Sequence, residues 1–142
     1  MALDMGERRV GIALSDETQT LAKSLTVLHR RSKVQDFEAL ANLLREHAVT
    51  RLVVGLPLSL DGTEGPQARR IRRYADALAE ALAAQNIKIP MIFYDESHST
   101  LTATQVMIES GRKRRDRRRR IDAVAAAVIL QNYLDSRSEK LT

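Results

Sequence analysis

The chain contains no cysteine, no tryptophan and few aromatic residues, which make up 4% of its 142 residues. Without cysteine it has no disulfide framework, no thiolate metal site and no cysteine nucleophile. Any catalysis must therefore use carboxylates, hydroxyls or histidine. Because apolar residues still account for 44% of the chain, the composition is that of a globular protein with a mostly aliphatic core.

Long apolar runs are also missing. No stretch approaches the roughly eighteen consecutive apolar residues of a membrane-spanning helix. The N-terminus lacks the charged start and apolar run of a signal peptide. We therefore expect a cytoplasmic protein that does not associate with membranes, and the length indicates one domain over residues 1–142.

Positive charge is concentrated in one segment, RKRRDRRRR at residues 112–120, called the basic run below. The run carries +7, whereas the whole chain has a formal net charge of +5, which leaves −2 for the other residues. A solvated loop or helix end would explain many charge runs, but like charges this close repel one another and gain nothing without a partner. The run predicts a nucleic-acid surface. The predicted phosphate-binding residues are Arg112, Lys113, Arg114, Arg115, Arg117, Arg118, Arg119 and Arg120, extended by Arg69 and Arg73 from a second cluster.

The hydrophobic periodicity changes along the chain in an ordered way. It predicts strands at 1–5 and 8–14 joined by the turn Met5-Gly6-Glu7, a third strand at 25–30, and further strands at 51–55 and 90–94. Four helices are predicted. The first two span 34–47 and Pro66 to about Gln85, the third ends at about Ser110, and the last runs from near Ile121 to about Asp135. A meander followed by alternating helices and strands gives a mixed five-stranded sheet, antiparallel and then parallel, flanked by helices.

Three acidic residues occupy positions that such a sheet could bring together. Asp4 lies near the end of the first strand, Glu96 just past the strand at 90–94, and Asp122 in the first turn of the last predicted helix. Carboxylate oxygens are the ligands that Mg²⁺ and Mn²⁺ prefer. Alternatively, each acid has an ordinary role, in a turn, in a loop or at a helix dipole. Asp95 could replace Glu96, and the two should point in different directions.

Four motifs also carry a family resemblance. They are D-x-G-x-x-R-V-G-I-A at 4–13, VVGLPLSLDGTEGP at 53–66, Asp-Glu followed by Ser-Thr at 95–100, and the basic run leading into IDAVAAAVIL at 121–130. In this order the chain resembles the YqgF (RuvX) family of Holliday junction resolvases and pre-16S rRNA nucleases, relatives of the RuvC resolvases. The resemblance spans almost the full length. It implies an α/β ribonuclease H-like fold, with Asp4, Glu96 and Asp122 as catalytic carboxylates that hold one or two Mg²⁺ or Mn²⁺ ions.

The sequence departs from the family pattern at two places close to the predicted carboxylates. Ser97 and His98 follow the Asp-Glu pair, where the family usually has an arginine and an apolar residue. Ala125 stands three residues beyond Asp122, so a fourth carboxylate like that of RuvC is not supported.

The expected function is that of a metal-dependent endonuclease on structured nucleic acid. The preferred substrate is pre-rRNA, at the 5′ end of pre-16S rRNA, with branched DNA as the alternative, because a basic surface contacts phosphates and not bases. A junction resolvase should act as a symmetric homodimer. Two other hypotheses are weaker: an actin-like or sugar-kinase-like ATPase, for which 142 residues leave no second domain, and a non-catalytic nucleic-acid-binding module, supported only by Ser97 and His98.

Overall fold

The computed structural model describes residues 1–95 and 114–141, and for 114–122 and 138–141 it describes the helical backbone without the side chains. The described residues form five strands and three helices. The strands are β1 (Ala2–Met5), β2 (Arg9–Ser15), β3 (Ala22–His29), β4 (Leu52–Leu56) and β5 (Met91–Asp95). The helices are α1 (Lys33–Glu46), α2 (Pro66–Ala84) and α3 (Arg114–Leu141).

All five strands belong to one sheet in the order β3-β2-β1-β4-β5. The pairs β1–β2 and β2–β3 are antiparallel, whereas β1–β4 and β4–β5 are parallel. This confirms the predicted mixed sheet, an antiparallel meander followed by parallel strands. The carboxyl ends of β1, β4 and β5 consequently lie at the same edge of the sheet.

Local sequence explains how the elements begin and turn. In the β1–β2 hairpin the amide of Gly6 donates to the carbonyl of Arg9 at 2.8 Å. Ser32 caps α1, since its hydroxyl accepts from the amide of Gln35 at 3.2 Å. Pro66 opens α2, where its missing N–H leaves no helical hydrogen bond unmade.

The two faces of the sheet are covered by different helices. One face, called the α1/α2 face, packs Leu3, Ile12 and Val54 against the helix residues Leu40 and Leu78. The opposite α3 face carries smaller side chains. Ala2, Ala13 and Val53 pack there against Ala126, Ile129 and Leu130 of α3, and the alanines on both surfaces let the helix approach the sheet closely.

The sequence prediction was wrong about where the last helix begins. Helix α3 starts at Arg114 and not near Ile121, so most of the basic run is helical. Arginine is a strong helix former, and a charge-dense segment without apolar periodicity hides that propensity from pattern reading. Asp122 is therefore the ninth residue of the helix and not part of its first turn.

Strand β3 also begins earlier than predicted, at Ala22 and not at Leu25. The pairing of β2 with β3 shifts between Ile12 and Ala13, and it then continues to Ser15 and Ala22. Such an irregularity breaks the alternation of side chains that marks a strand in the sequence. The helix predicted to end at Ser110 lies outside the described residues, and no helix among the described residues is long and apolar enough to cross a membrane.

Candidate functional site

Asp4 is the only one of the three predicted acids whose side chain the structure describes. It is the third residue of β1 and pairs with Gly11 of β2. Since side chains alternate along a strand, Asp4 shares the α3 face with Ala2, two residues earlier. Its cross-strand partner is a glycine, so no side chain of β2 stands opposite the half-buried carboxylate.

Hydrogen bonds hold helix α3 against this face near both ends of the segment 123–137, the part of the helix whose side chains the structure describes. The Ser24 hydroxyl donates to the carbonyl of Ala123 at 3.1 Å. The Gln131 side chain accepts from the amide of Ala22 at 2.9 Å and donates to the carbonyl of Thr20 at 2.9 Å. Nearer the end of the helix, the Tyr133 hydroxyl accepts from Arg51 at 3.0 Å.

These contacts give α3 a direction relative to β1. Tyr133 contacts Arg51, just before β4, at the amino end of the parallel strands. Ala123 precedes Tyr133 by ten residues, which is about 15 Å along the helix. The helix therefore runs back from the carboxyl end of these strands toward their amino end. The backbone of Asp122, next to Ala123, lies over the α3 face, the same face that carries Asp4.

Asp95 does not share this face. It ends β5 in register with Leu56 of β4, whose side chain belongs to the core of the α1/α2 face. Phe93, two residues earlier in the same strand, packs against that core as well. Asp4 and Asp95 therefore lie at one edge of the sheet but on opposite sides of it.

The other predicted ligand, Glu96, lies outside the described residues, as do Arg112 and Lys113 of the basic run. The remaining predicted residues of the run belong to α3. Among the described side chains, no three histidine, cysteine, aspartate or glutamate residues come close enough to hold a metal ion. The described part of the site thus contains one of the predicted ligands, with the backbone of a second on the same face.

The arginine cluster at the start of α2 divides into two pairs. Arg69 donates to the carbonyl of Glu64 at 3.1 Å, and Arg72 pairs with the Glu64 carboxylate and lies 4.4 Å above the Phe93 ring. Arg70 and Arg73 instead line a cavity of about 320 Å³ between α2 and the β1–β2 turn. Of the two predicted phosphate-binding residues of this cluster, only Arg73 faces the cavity.

Sequence reasoning missed the other basic residues of this cavity, Arg30 and Lys33. Arg30 lies just past β3, and its guanidinium donates to the carbonyl of Gly6 at 2.7 Å and lies 4.4 Å above the Tyr74 ring. Burial raises the pKa of Tyr74, and the negative charge of Asp36 raises it further. Neither basic residue belongs to a motif, so only the tertiary fold shows that they meet.

A mixed sheet in this order, with an acid on its first strand and a long C-terminal helix over the same face, defines the ribonuclease H-like class of α/β proteins. The chain belongs to the RuvX family, whose model is described as Holliday junction resolvase and matches residues 1–136.

Relatives with similar sequences cover nearly the whole chain. A protein of a Roseiflexus species is 45% identical over 136 residues, which is 96% of this chain and 93% of the relative. One of Thermoanaerobacter pseudethanolicus is 40% identical over 141 residues, covering 99% and 98%. Both are named "Putative pre-16S rRNA nuclease".

Solved structures show the same fold at low sequence identity. RuvC of T. thermophilus in complex with a Holliday junction substrate aligns with a TM-score of 0.58 and 15% identity, covering 96% of this chain and 92% of that one. The yeast mitochondrial Holliday junction resolvase aligns with a TM-score of 0.55 and 11% identity, covering 97% and 79%. These likenesses confirm the predicted ribonuclease H-like fold.

Proposed function

We propose that residues 1–142 form a single metal-dependent nuclease domain that hydrolyses phosphodiester bonds of structured nucleic acid. The observation that carries this proposal is the position of Asp4, a half-buried carboxylate opposite Gly11 on the α3 face, in a chain whose relatives are named nucleases. A central strand holds Asp4 in a fixed position, because β1 is paired on both sides. The α3 backbone brings Asp122 to the same face.

The proposed ligand set is Asp4, Glu96 and Asp122. Asp95 is left out of this set because it lies on the α1/α2 face, on the far side of the sheet from Asp4. Carboxylate oxygens suit Mg²⁺ or Mn²⁺, and the residue of β2 opposite Asp4 is a glycine, which has no side chain. Asp4, Glu96 and Asp122 would hold one or two such ions, which would supply water activation and stabilisation of the leaving oxygen. In this scheme the basic run, with Arg69 and Arg73, holds the phosphates.

The proposed substrate is the 5′ end of pre-16S rRNA, which the names of the relatives favour. The description of the family model favours four-way DNA junctions as a second candidate. The two candidates differ in assembly, because cutting a junction symmetrically needs two active sites related by a two-fold axis. A homodimer on DNA junctions, measured by sedimentation, would support the second candidate.

The test is cleavage of labelled single-stranded RNA, a pre-rRNA stem fragment and a DNA four-way junction, with Mn²⁺, Mg²⁺ or EDTA. Asp4→Asn, Glu96→Gln and Asp122→Asn should each lower cleavage by about a hundredfold or more, since each removes a ligand atom. Binding should be largely retained, because none of these variants removes a phosphate contact. The substrate cut fastest identifies the physiological class.

Asp95→Asn is the matched control, because it makes the same chemical change at the same sheet edge on the opposite face. We expect its cleavage to stay near that of the unaltered protein. If Asp95→Asn loses activity and Glu96→Gln retains it, then Asp95 and not Glu96 is the metal ligand. Tight binding without cleavage in any metal would favour the non-catalytic module, and Ser97 and His98 would be the first residues to replace.

A further inference from the structure

The cavity of about 320 Å³ lies at the same edge of the sheet as Asp4 but on the α1/α2 face. Its walls come from the β1–β2 turn, the end of β3, the start of α1 and the first half of α2. Met5 and Ile71 give it an apolar floor, and both are buried residues of the core on that face. The volume is within the range of small-molecule sites in proteins.

Four basic side chains line this cavity, with Glu7 as the one acid among its lining residues. Arg30 is held by the carbonyl of Gly6. Lys33, Arg70 and Arg73 are exposed and have no hydrogen-bond or ion-pair partner among the residues that the structure describes. Because the chain outside the basic run is net negative, gathering four cations around one cavity is not an average property of its surface. Their mutual repulsion favours a bound anion.

Tyr74 adds an aromatic residue to the lining of the cavity, beside the guanidinium of Arg30. Tyr74 lines the cavity and is 6% exposed, and its hydroxyl is buried without a hydrogen-bond partner in the described structure. Leaving a buried hydroxyl unpaired is unfavourable.

We propose that this cavity binds one nucleotide, with its phosphate held by Lys33, Arg70 and Arg73 and its nucleoside against the apolar floor. Guanidinium groups match phosphate oxygens in geometry and charge. The nucleotide is either an unpaired nucleotide of a bound strand or a free mononucleotide. The strand as its source rests on the proposed nuclease function, whereas binding of the nucleotide itself does not.

The test is calorimetric titration with adenosine 5′-monophosphate in EDTA, where no metal-dependent cleavage occurs. Arg70→Gln combined with Arg73→Gln should weaken binding by about tenfold or more, the effect of removing charge-assisted hydrogen bonds. Arg45→Gln combined with Lys88→Gln is the charge-matched control and should stay within about twofold. Arg45 contacts Gln85 near the far end of α1, and neither control residue lines the cavity.

Two further ligands sharpen the result. Adenosine and inorganic phosphate should each bind about tenfold more weakly than the nucleotide, because each has only one of its two binding groups. Equal affinity of the double variant and the control, or phosphate bound as tightly as the nucleotide, would overturn the proposal.

Competition separates the two sources of the nucleotide. If adenosine 5′-monophosphate displaces a labelled single-stranded oligonucleotide more readily than a blunt duplex, the cavity takes an unpaired nucleotide of the strand. If it binds without displacing either, the cavity is a site for a free nucleotide. Both outcomes support the site, and neither depends on whether Asp4→Asn abolishes cleavage.

Discussion

At the scale of single residues, Asp16 is a carboxylate in the β2–β3 loop that the fold surrounds with donors. It accepts from the amides of Thr20 at 2.9 Å and Leu21 at 3.2 Å, and from the Thr18 hydroxyl at 2.8 Å. The Thr20 amide contributes most, followed by the Thr18 hydroxyl and the Leu21 amide, and these hydrogen bonds lower the pKa of Asp16 from 3.8 to about 2. These bonds favour the ionised form.

We therefore predict that the stability contributed by the β2–β3 loop depends on pH. Because the folded pKa is below the unfolded value, the stabilisation by Asp16 is fully present above about pH 4 and is lost as the pH falls through about 2. Carboxyl carbon chemical shifts followed by NMR should show this low titration midpoint. In Asp16→Ala, unfolding measured between pH 2 and 5 should lose the corresponding pH dependence. A midpoint near 3.8 for Asp16 would contradict the hydrogen-bonded loop.

Residue-scale prediction from the sequence was strongest where a residue belongs to a motif. The strand position of Asp4 was predicted from the sequence. The sequence also predicted that Asp95 and Glu96 point in different directions, and Asp95 lies on the face of the sheet opposite Asp4. Arg30, Lys33 and Tyr74 were not predicted. Arg30 follows β3, Lys33 begins α1 and Tyr74 lies in α2. Each alone is an ordinary surface or core residue, so only tertiary packing reveals the cavity.

At the scale of elements, the β1–β2 hairpin depends on Gly6. A Cβ added there would lie 2.9 Å from the carbonyl oxygen of Arg9, which is also the acceptor for the Gly6 amide. We therefore predict that Gly6→Ala destabilises the protein by about 1 to 3 kcal/mol, since backbone atoms must move to relieve the contact. Urea unfolding followed by circular dichroism measures this change.

Gly65→Ala is the matched control for that variant. Its added Cβ would meet only the Ser59 hydroxyl at 3.8 Å, an ordinary contact. Gly65 is the N-cap of α2, where alanine is less favourable than glycine, so a destabilisation below about 1 kcal/mol is expected. Equal destabilisation in the two variants would mean that the close approach to Arg9 is relieved without cost.

The bounds of the five strands and of α1 and α2 were predicted to within three residues, whereas α3 starts seven residues before Ile121 and ends six residues beyond Asp135. Apolar alternation marked β1 and β2, and helical spacing marked α1 and α2. The seven helical residues before Ile121 were missed, because they are mostly arginine and have no apolar face to reveal a period. Only their intrinsic helix propensity favoured the observed structure, and charge repulsion argued against it.

At the scale of the whole molecule, charge is divided between a basic run and a remainder that is net negative. The arrangement of the sheet was predicted correctly, because the order of strands and helices restricts the topology strongly. The surfaces that bind a substrate were less predictable. Sequence shows the basic run directly, but it does not show that a second group of cations gathers on the opposite face from Asp4.

The basic run gives the last prediction. Replacing Arg117, Arg118, Arg119 and Arg120 by alanine keeps good helix formers in α3 but removes four charges. If these residues bind phosphates, the slope of log binding constant against log salt should become shallower by roughly 0.7 to 0.9 for each phosphate that the variant no longer neutralises. Binding should weaken about equally for all sequences, because phosphates carry no base identity.

Fluorescence anisotropy on labelled RNA and junction DNA between low and moderate salt measures both effects. The Arg45→Gln and Lys88→Gln double variant controls for net charge, since Arg45 lies next to the segment 47–51 that meets Tyr133 and Arg137 of α3, far along the helix from the basic run. The same slope change per charge removed in both variants would mean that the basic run acts only through the overall field of the protein and not by direct binding to the strand.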